Sequence, residues 1–237
     1  MALIEVINDA NTVLIDDNYS NMCLASSGIL TLYYNSPGSG GNSDMNFISY
    51  TGGANEFPQL VLELSGSVAV AQVFNTRSGN TWIWSIAFLS AYYGYQVNYY
   101  VLSVPSSVAD AGGMLQLRDG NEKLVFDSNL KYMAVKGLCS PSQNSNINLN
   151  MAPERRYGVL ASSTGWTRMF QRANPLEPAA PYTYLTQNAS LLHYRSGTNI
   201  VSSNGIHQQG TVKVDNPGNL GSRAGTARLI ILDITNF

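Results

Sequence analysis

The chain has 237 residues, of which 12% are charged, and a formal net charge of −2. That length holds one large all-β domain or two units of ordinary size, and the charge is about half the usual share for a globular domain. No Lys/Arg run offers the electrostatic footprint of a nucleic-acid binder, and no apolar run reaches the roughly 20 residues of a membrane helix, so neither partner is expected.

The N-terminus, MALIEVINDA, lacks the basic start and long apolar stretch of a signal peptide, which predicts synthesis and folding in a cytoplasm. Cys23 and Cys139 are then expected as free thiols. Residues 2–7 and 12–16 predict two short strands joined by a turn at 8–11. The Gly/Ser/Asn-rich segment 35–55 predicts a long exposed loop, broken only by the apolar group at 45–48. Strands follow at 59–64, 67–74, 81–87 and 96–104, separated by Ser-Gly, Arg-Ser-Gly-Asn and Tyr-Gly breaks, a spacing that suits an antiparallel β-sandwich. Trp82 and Trp84 alternate, so they share a face, and at least one is expected in the core.

Residues 105–113 (PSSVADAGG) predict a linker, which divides the chain into an N-terminal β unit, 1–111, and a C-terminal β unit, 112–237. The second unit opens with a hairpin, 114–118 and 123–127, whose turn Asp119-Gly120-Asn121 offers a glycine for positive φ. A third strand is expected at 131–136, then a loose stretch at 139–153 and strands at 157–162, 167–171, 182–186 and 190–195. The closing segment 226–234 (TARLIILDI) mirrors 98–104 (NYYVLSV) in position and apolar character. No segment of ten residues keeps a helical period, so the fold class is all-β: two tandem related antiparallel sandwich-like units, each opening with a hairpin.

The relation between the units rests on an ungapped internal repeat. Leu3 to Leu24 lies over Met114 to Val135 at a constant offset of 111 positions, with Asp16/Asp127, Asn18/Asn129 and Met22/Met133 identical and apolar residues opposite apolar ones at both ends. Asp127 ends the second strand just before an Asn-containing turn, whose backbone it is expected to bond. The pattern predicts a duplicated structural module.

Signatures of chemistry are missing. There is no G-x-S-x-G, and only His193 and His207 could serve as a base; both are expected on the surface or in loops. C-x-x-C, H-x-H and H-E-x-x-H spacings are absent, and Asp16-Asp17-Asn18 does not match a calcium loop. Gly38-Ser39-Gly40-Gly41 is followed by no Lys-Ser/Thr and no helix that could hold a phosphate. No catalytic, cofactor or metal residue is predicted, and the chain is expected not to be an enzyme. The most suggestive contact residues are Tyr92, Tyr93 and Tyr95, since tyrosine offers broad apolar area plus a hydroxyl; nearby Tyr99 or Tyr100 is expected to pack in the core.

The second copy of the repeat, GMLQLRDGNEKLVFDSNLKYMAV, resembles a motif of tail proteins of long-tailed bacteriophages, carried here by Gly113, Leu115, Leu117, Asp119, Gly120, Leu124, Val125, Asp127, Ser128, Tyr132 and Met133. A weaker version opens the chain, with Asp9-Ala10 in place of Gly120-Asn121 and Asp17 in place of Ser128, and an apolar strand of the same type closes it at Leu229 to Thr235. The resemblance implies a virion component of the distal tail (tip, baseplate or fibre attachment) made in a host cytoplasm. Its implied partners are other tail proteins, further copies of itself in threefold or sixfold rotational symmetry, and a host surface receptor. The competing expectation is a receptor-binding or carbohydrate-binding, lectin-like adhesin, with the Tyr cluster or the 35–55 segment as its contact surface.

Overall fold

A computed structural model describes residues 6–7, 13–15, 21–33, 43–108, 112–142, 145–163, 165–172, 182–214 and 221–237. In chain order the strands are β1 (Val6–Ile7), β2 (Val13–Ile15), β3 (Cys23–Thr31), β4 (Ser43–Thr51), β5 (Gln59–Glu63), β6 (Val70–Ser78), β7 (Thr81–Leu89), β8 (Gln96–Ser103), β9 (Gln116–Arg118), β10 (Leu124–Asp127), β11 (Val135–Cys139), β12 (Asn146–Asn148), β13 (Tyr157–Ser163), β14 (Trp166–Arg172), β15 (Tyr182–Ser196), β16 (Asn199–Val214), β17 (Gly221–Gly225) and β18 (Arg228–Asp233). Among the described residues the helical structure is confined to two single 3-10 turns, Ser90–Tyr92 and Pro105–Ser107. Cys23 and Cys139 are free thiols, and burial pushes the Cys23 thiol up to about 11.

Two sheets form the sandwich. Sheet one runs β11-β18-β13-β5-β8-β3, and sheet two runs β12-β16-β15-β6-β7-β4. In each, the three strands on one side come from residues 1–111 and the three on the other from 112–237. The second half therefore repeats the first strand for strand about a pseudo-twofold axis, β3, β4, β5, β6, β7 and β8 corresponding to β11, β12, β13, β15, β16 and β18. Among the described strands β14 and β17 have no counterpart; β14 pairs with β15 on one side and β17 on the other.

The register makes the repeat exact to the residue. In the first hairpin Val6 pairs with Ile15 and Ile7 with Val13; 111 positions on, Leu117 pairs with Phe126 and Arg118 with Leu124, with the irregularity at the same place. The match continues into the sheet. β3 pairs Leu24 with Leu102 and shifts register before Ser26; its counterpart β11 pairs Val135 with Leu232 and shifts before Gly137. The β6–β7 and β15–β16 turns are also copies, Arg77-Ser78-Gly79 and Arg195-Ser196-Gly197, with both glycines at φ 59. In each, the arginine Nε donates to the glycine carbonyl, at 2.8 and 3.0 Å.

The halves share one interior. Apolar residues facing inward from both sheets form the main core, which draws Leu60, Trp84, Phe88 and Val101 from the first half and Met151, Tyr157, Leu191 and Ile231 from the second. A second cluster, on the other side of sheet one, joins Val61, Tyr100 and Leu102 to Leu160, Leu232 and Ile234. Against it pack Met22 and Met133, the identical pair of the sequence repeat, where Met133 N–H donates to Met22 O at 2.8 Å and Leu24 N–H to Lys131 O at 2.8 Å. The two sheets are continued from half to half by β13 on β5, with Leu160 opposite Val61, and by His193 opposite Val70.

Several expectations are corrected. The segment 35–55 is a loop in part only, because 43–51 forms β4; Ile48 faces the core, but the pair before it is reversed, with Asn46 buried and Phe47 outside, which breaks the apolar-in period. Residues 34–42 lie outside the described residues. The 139–153 stretch contains β12 and ends on fully buried Met151. The strands expected at 182–186 and 190–195 are one, β15, held along its length by β16, which polar and glycine residues hide in the sequence. The third strand of the hairpin module begins at Val135 rather than 131, since Tyr132 bridges to Cys23 instead. Trp84 is in the main core, as expected of one of the alternating tryptophans, and Tyr100, one of the two tyrosines expected to pack inside, is buried in the second cluster.

A shared core couples the halves, so we expect a single unfolding transition by near-UV dichroism, far-UV dichroism and calorimetry alike. Leu160→Ala, which empties a site on the junction, should lower stability by about 2–4 kcal/mol without splitting that transition. Two resolved transitions would show separate cores.

Candidate functional site

The tyrosines lie at one end of the sandwich, on the connection from β7 to β8. Gly94 turns the chain at φ 82, and its N–H donates to Leu32 O at 2.7 Å while Leu32 N–H donates to Tyr95 O at 2.8 Å. This fixes the β7–β8 connection to the end of β3. Tyr92 is partly buried against the main core and against the small cluster of Ala69, Ala71, Ala87 and Leu192, and its ring meets Tyr95 edge-on at 5.9 Å. Tyr93 and Tyr95 are 57% and 48% exposed. One residue beyond Leu32 stands Tyr33, also exposed, its backbone N–H and C=O both bonded by the buried amide of Asn46, at 3.1 and 3.0 Å. Of the three candidates, Tyr92 is thus a packing residue, and Tyr93 and Tyr95 with Tyr33 present rings and hydroxyls to solvent.

The repeated hairpin explains its own motif. Asp127 is fully buried; its Oδ1 accepts the Asn129 N–H at 2.8 Å, and its Oδ2 accepts Gly113 N–H at 3.2 Å and Gln116 Nε2 at 2.8 Å. The carboxylate bonds the following turn, as expected, and also the start of the hairpin. A Cβ on Gly113 would lie 2.0 Å from Asp127 Oδ1, which is why the motif opens with glycine. Ser128 Oγ accepts from Leu115 N–H at 3.3 Å. Tyr132 accepts the Asp127 N–H at 2.7 Å and stacks on Phe126 at 5.1 Å. At the turn, Asp119 Oδ1 accepts N–H groups of Lys123 and Asn121 at 2.9 and 2.8 Å, which hold its carboxyl below the usual range. Positive φ falls on Glu122, at 60°, and not on Gly120. The corresponding Asp16 lies outside the described residues.

The richest polar constellation is one that sequence reasoning missed. Glu63 on β5 receives a bidentate grip from Arg156, Nε to Oε1 at 3.0 Å and Nη2 to Oε2 at 2.6 Å, together with Asn98 Nδ2 at 2.9 Å and the Tyr100 hydroxyl at 3.2 Å. Arg156 also donates to the Tyr100 hydroxyl and stands over its ring at 5.9 Å. Burial raises the Glu63 pKa, but the hydrogen bonds from Arg156 and Asn98 outweigh it and leave the carboxyl below its ordinary value. With its groups committed to one another by hydrogen bonds, this cluster has the geometry of a clasp between the halves. A separation of 93 positions left no local signal of it.

His193 is buried rather than on the surface, because its place on β15 faces the core; its Nδ1 lies 2.8 Å from Ser202 Oγ, its register partner on β16. Burial pulls its pKa down to about 4, so the ring is neutral, and a Ser–His pair closed off from solvent is a satisfied core pair. His207 lies on β16. Among the described residues no three His, Cys, Asp or Glu side chains come together as a metal site, and no helix is long and apolar enough to cross a membrane. No family model, curated protein or solved structure matches the chain.

Since the folded Glu63 value is depressed, its contribution is present above the ordinary glutamate range near pH ~4.3 and disappears as pH falls through the folded value. Arg156→Ala should cost about 1–3 kcal/mol at pH 7, between an exposed and a buried pair, and the difference from wild type should narrow below pH ~4 in acid titrations of stability. At the tyrosine end, Tyr92→Ala should destabilise by about 2–4 kcal/mol, whereas Tyr93→Ala should stay within about 0.5 kcal/mol. Equal losses at the two positions in chemical denaturation would contradict this division of roles.

Proposed function

We propose that the chain is a non-enzymatic structural component of a bacteriophage distal tail, acting by assembly with other tail proteins and with copies of itself. The observation that carries the reading is the hairpin module: residues 113–135 resemble a tail-protein motif, and the motif residues Gly113, Leu115, Asp127, Ser128 and Tyr132 bond one another in one unit around Asp127. The motif is therefore a piece of architecture and needs no ligand to account for it. A weakly charged surface supports the same reading, because self-repulsion does little to keep such chains apart. Assembly around the tail axis would copy each contact by rotation, in threefold or sixfold symmetry.

A lectin-like, receptor-binding role is the second reading. It is favoured by exposed Tyr93, Tyr95 and Tyr33 gathered at one end of the sandwich, since such rings stack on sugar faces and their hydroxyls hydrogen-bond them.

Immunogold labelling with antibody against the purified chain should decorate the distal end of the tail of particles that carry it, and the chain should co-purify with another tail protein. Unlabelled particles, combined with saturable binding of the purified chain to host cells that Tyr93→Ala abolishes, would instead establish the receptor-binding reading.

A further inference from the structure

Among the described residues β3 is an edge strand of sheet one, and the middle of its free edge has no partner. In an antiparallel ladder successive residues turn their N–H and C=O groups alternately toward the neighbouring strand and away from it. Leu32 turns both toward the β8 side, since its N–H donates to Tyr95 O and its C=O accepts from Gly94 N–H. From Thr31 opposite Gln96 to Ser26 opposite Val101 the register runs without a shift, so Ser27, Ile29, Thr31 and Tyr33 turn theirs to the free side. At Tyr33 the side-chain amide of Asn46 stands in for a strand, accepting from the N–H at 3.1 Å and donating to the C=O at 3.0 Å. At the other end the register shift at Ala25 turns Leu24 to the free side, where its N–H donates to Lys131 O while Met22 O accepts from Met133 N–H. Between these two caps the outward groups of Ser27, Ile29 and Thr31 bond no other described residue. All three residues are exposed, Ile29 by 61%.

Nothing in the strand guards this gap. Sheet edges are ordinarily blunted by shortness, lysine or proline, and the equivalent edge of the second half has all three: β11 is five residues long, carries Lys136 and is followed by Pro141. Residues 23–33, CLASSGILTLY, hold neither charge nor proline.

We propose that the open middle of β3 pairs with the same stretch of a second copy of the chain, antiparallel about a twofold axis at Ile29, so that sheet one continues from one molecule into the next. A row of unpaired N–H and C=O groups specifies a β-strand as its occupant. The stretch is its own complement. Centred on Ile29, the register sets Ser27 opposite Thr31 of the second copy and Ile29 opposite itself, and in each opposed pair both residues have their groups turned to the other, ready to exchange two bonds. The side chains agree with that register, because serine meets threonine and the exposed Ile29 covers its own copy. With no charge on the stretch, like strands meet without repulsion. The caps confine the ladder to this stretch, so the contact is small and its dissociation constant should lie at about 0.1–1 mM. The pairing stands apart from the tail reading: a twofold pair of the free chain neither requires nor forbids rotation about a tail axis.

Sedimentation equilibrium of the full purified chain up to about 1 mM tests it. Wild type should form a dimer that dissociates on dilution. Ile29→Lys, which sets two like charges opposite each other, should raise the dissociation constant about tenfold or more, whereas Phe57→Lys, at a position 67% exposed elsewhere, should leave it unchanged. Should Ile29→Lys fail to fold by far-UV dichroism, Ser27→Lys with Thr31→Lys, both at exposed positions, should give the same shift. Register is read separately by cross-linking. Opposed Cα atoms about 5.5 Å apart are within disulfide reach, so Ile29→Cys in a Cys139→Ser background should oxidise to a covalent dimer faster than Phe57→Cys in the same background. A wild type that stays monomeric at about 1 mM would leave the edge to a strand of another protein and overturn the proposal. So would an odd-numbered oligomer, a dimer that the folded lysine variants leave equally tight, or an Ile29→Cys chain that cross-links no faster than Phe57→Cys. These outcomes do not depend on whether particles label at the tail.

Discussion

The antiparallel contact of β5 with β13 is what makes one sandwich out of two short-stranded halves, and it is a slender contact by itself. Only Gly158, Val159 and Leu160 are laddered to Glu63, Leu62 and Val61, and a ladder of that length could not hold two units by backbone bonds alone. Its strength comes from what the ladder brings together on either side. Facing inward, Leu62 and Val159 belong to the main core; facing outward, Val61 and Leu160 belong to the second cluster. At the ladder's edge Arg156 of the second half grips Glu63 of the first. Burial of such residues at about 1.5–3 kcal/mol each exceeds the worth of the ion pair, so the apolar pairs hold the halves and the ion pair fixes their register.

The same contact explains what could be seen in the chain beforehand. The duplication was legible because the hairpin module is local: Asp127, Gly113 and Asn129 lie within one short segment, and their spacing is fixed by bonds among themselves. Strand existence was legible where apolar residues alternate inward, as in β7 and β8. It failed where the alternation is reversed, as in β4 with Asn46 in and Phe47 out, and where a strand is held by its neighbour rather than by its own pattern, as in β16. The Arg-Ser-Gly turn recurs too, but at a spacing different from 111 because the intervening connections differ in length, so an ungapped comparison passes over it. The clasp of Glu63 and Arg156 was beyond reach, since it depends on a pairing between halves and not on spacing within either.

Duplication also separates what the fold requires from what is added to it. Two equivalent halves would present equivalent ends, and most of the strands and several bonded turns do recur. The differences are therefore informative. The first half has a nine-residue β4 where the second has a three-residue β12; the second half has β14, laddered on the long β15, and β17, laddered on β14. The first half's end carries the solvent-facing tyrosines, with Tyr95 tied to Leu32 and Tyr33 tied to Asn46. The exposed rings of Tyr33, Tyr93 and Tyr95 take no part in the main core, so they can vary without disturbing the pseudo-twofold frame.

Low charge has a specific location in this molecule. Among the described residues, the ion pairs of Glu63 with Arg156 and of Arg155 with Asp233 sit at the junction and closing strand, where they fix how elements meet. The edge strand β4 of sheet two turns Phe47 outward while Asn46 bonds Tyr33 inside, next to Ile48 in the main core. The outward positions of β4 and β6 belong to the fold as well, since Ala71 of β6 is buried on the far side of sheet two with Ala87 and Leu192, and Met45 of β4 packs against them.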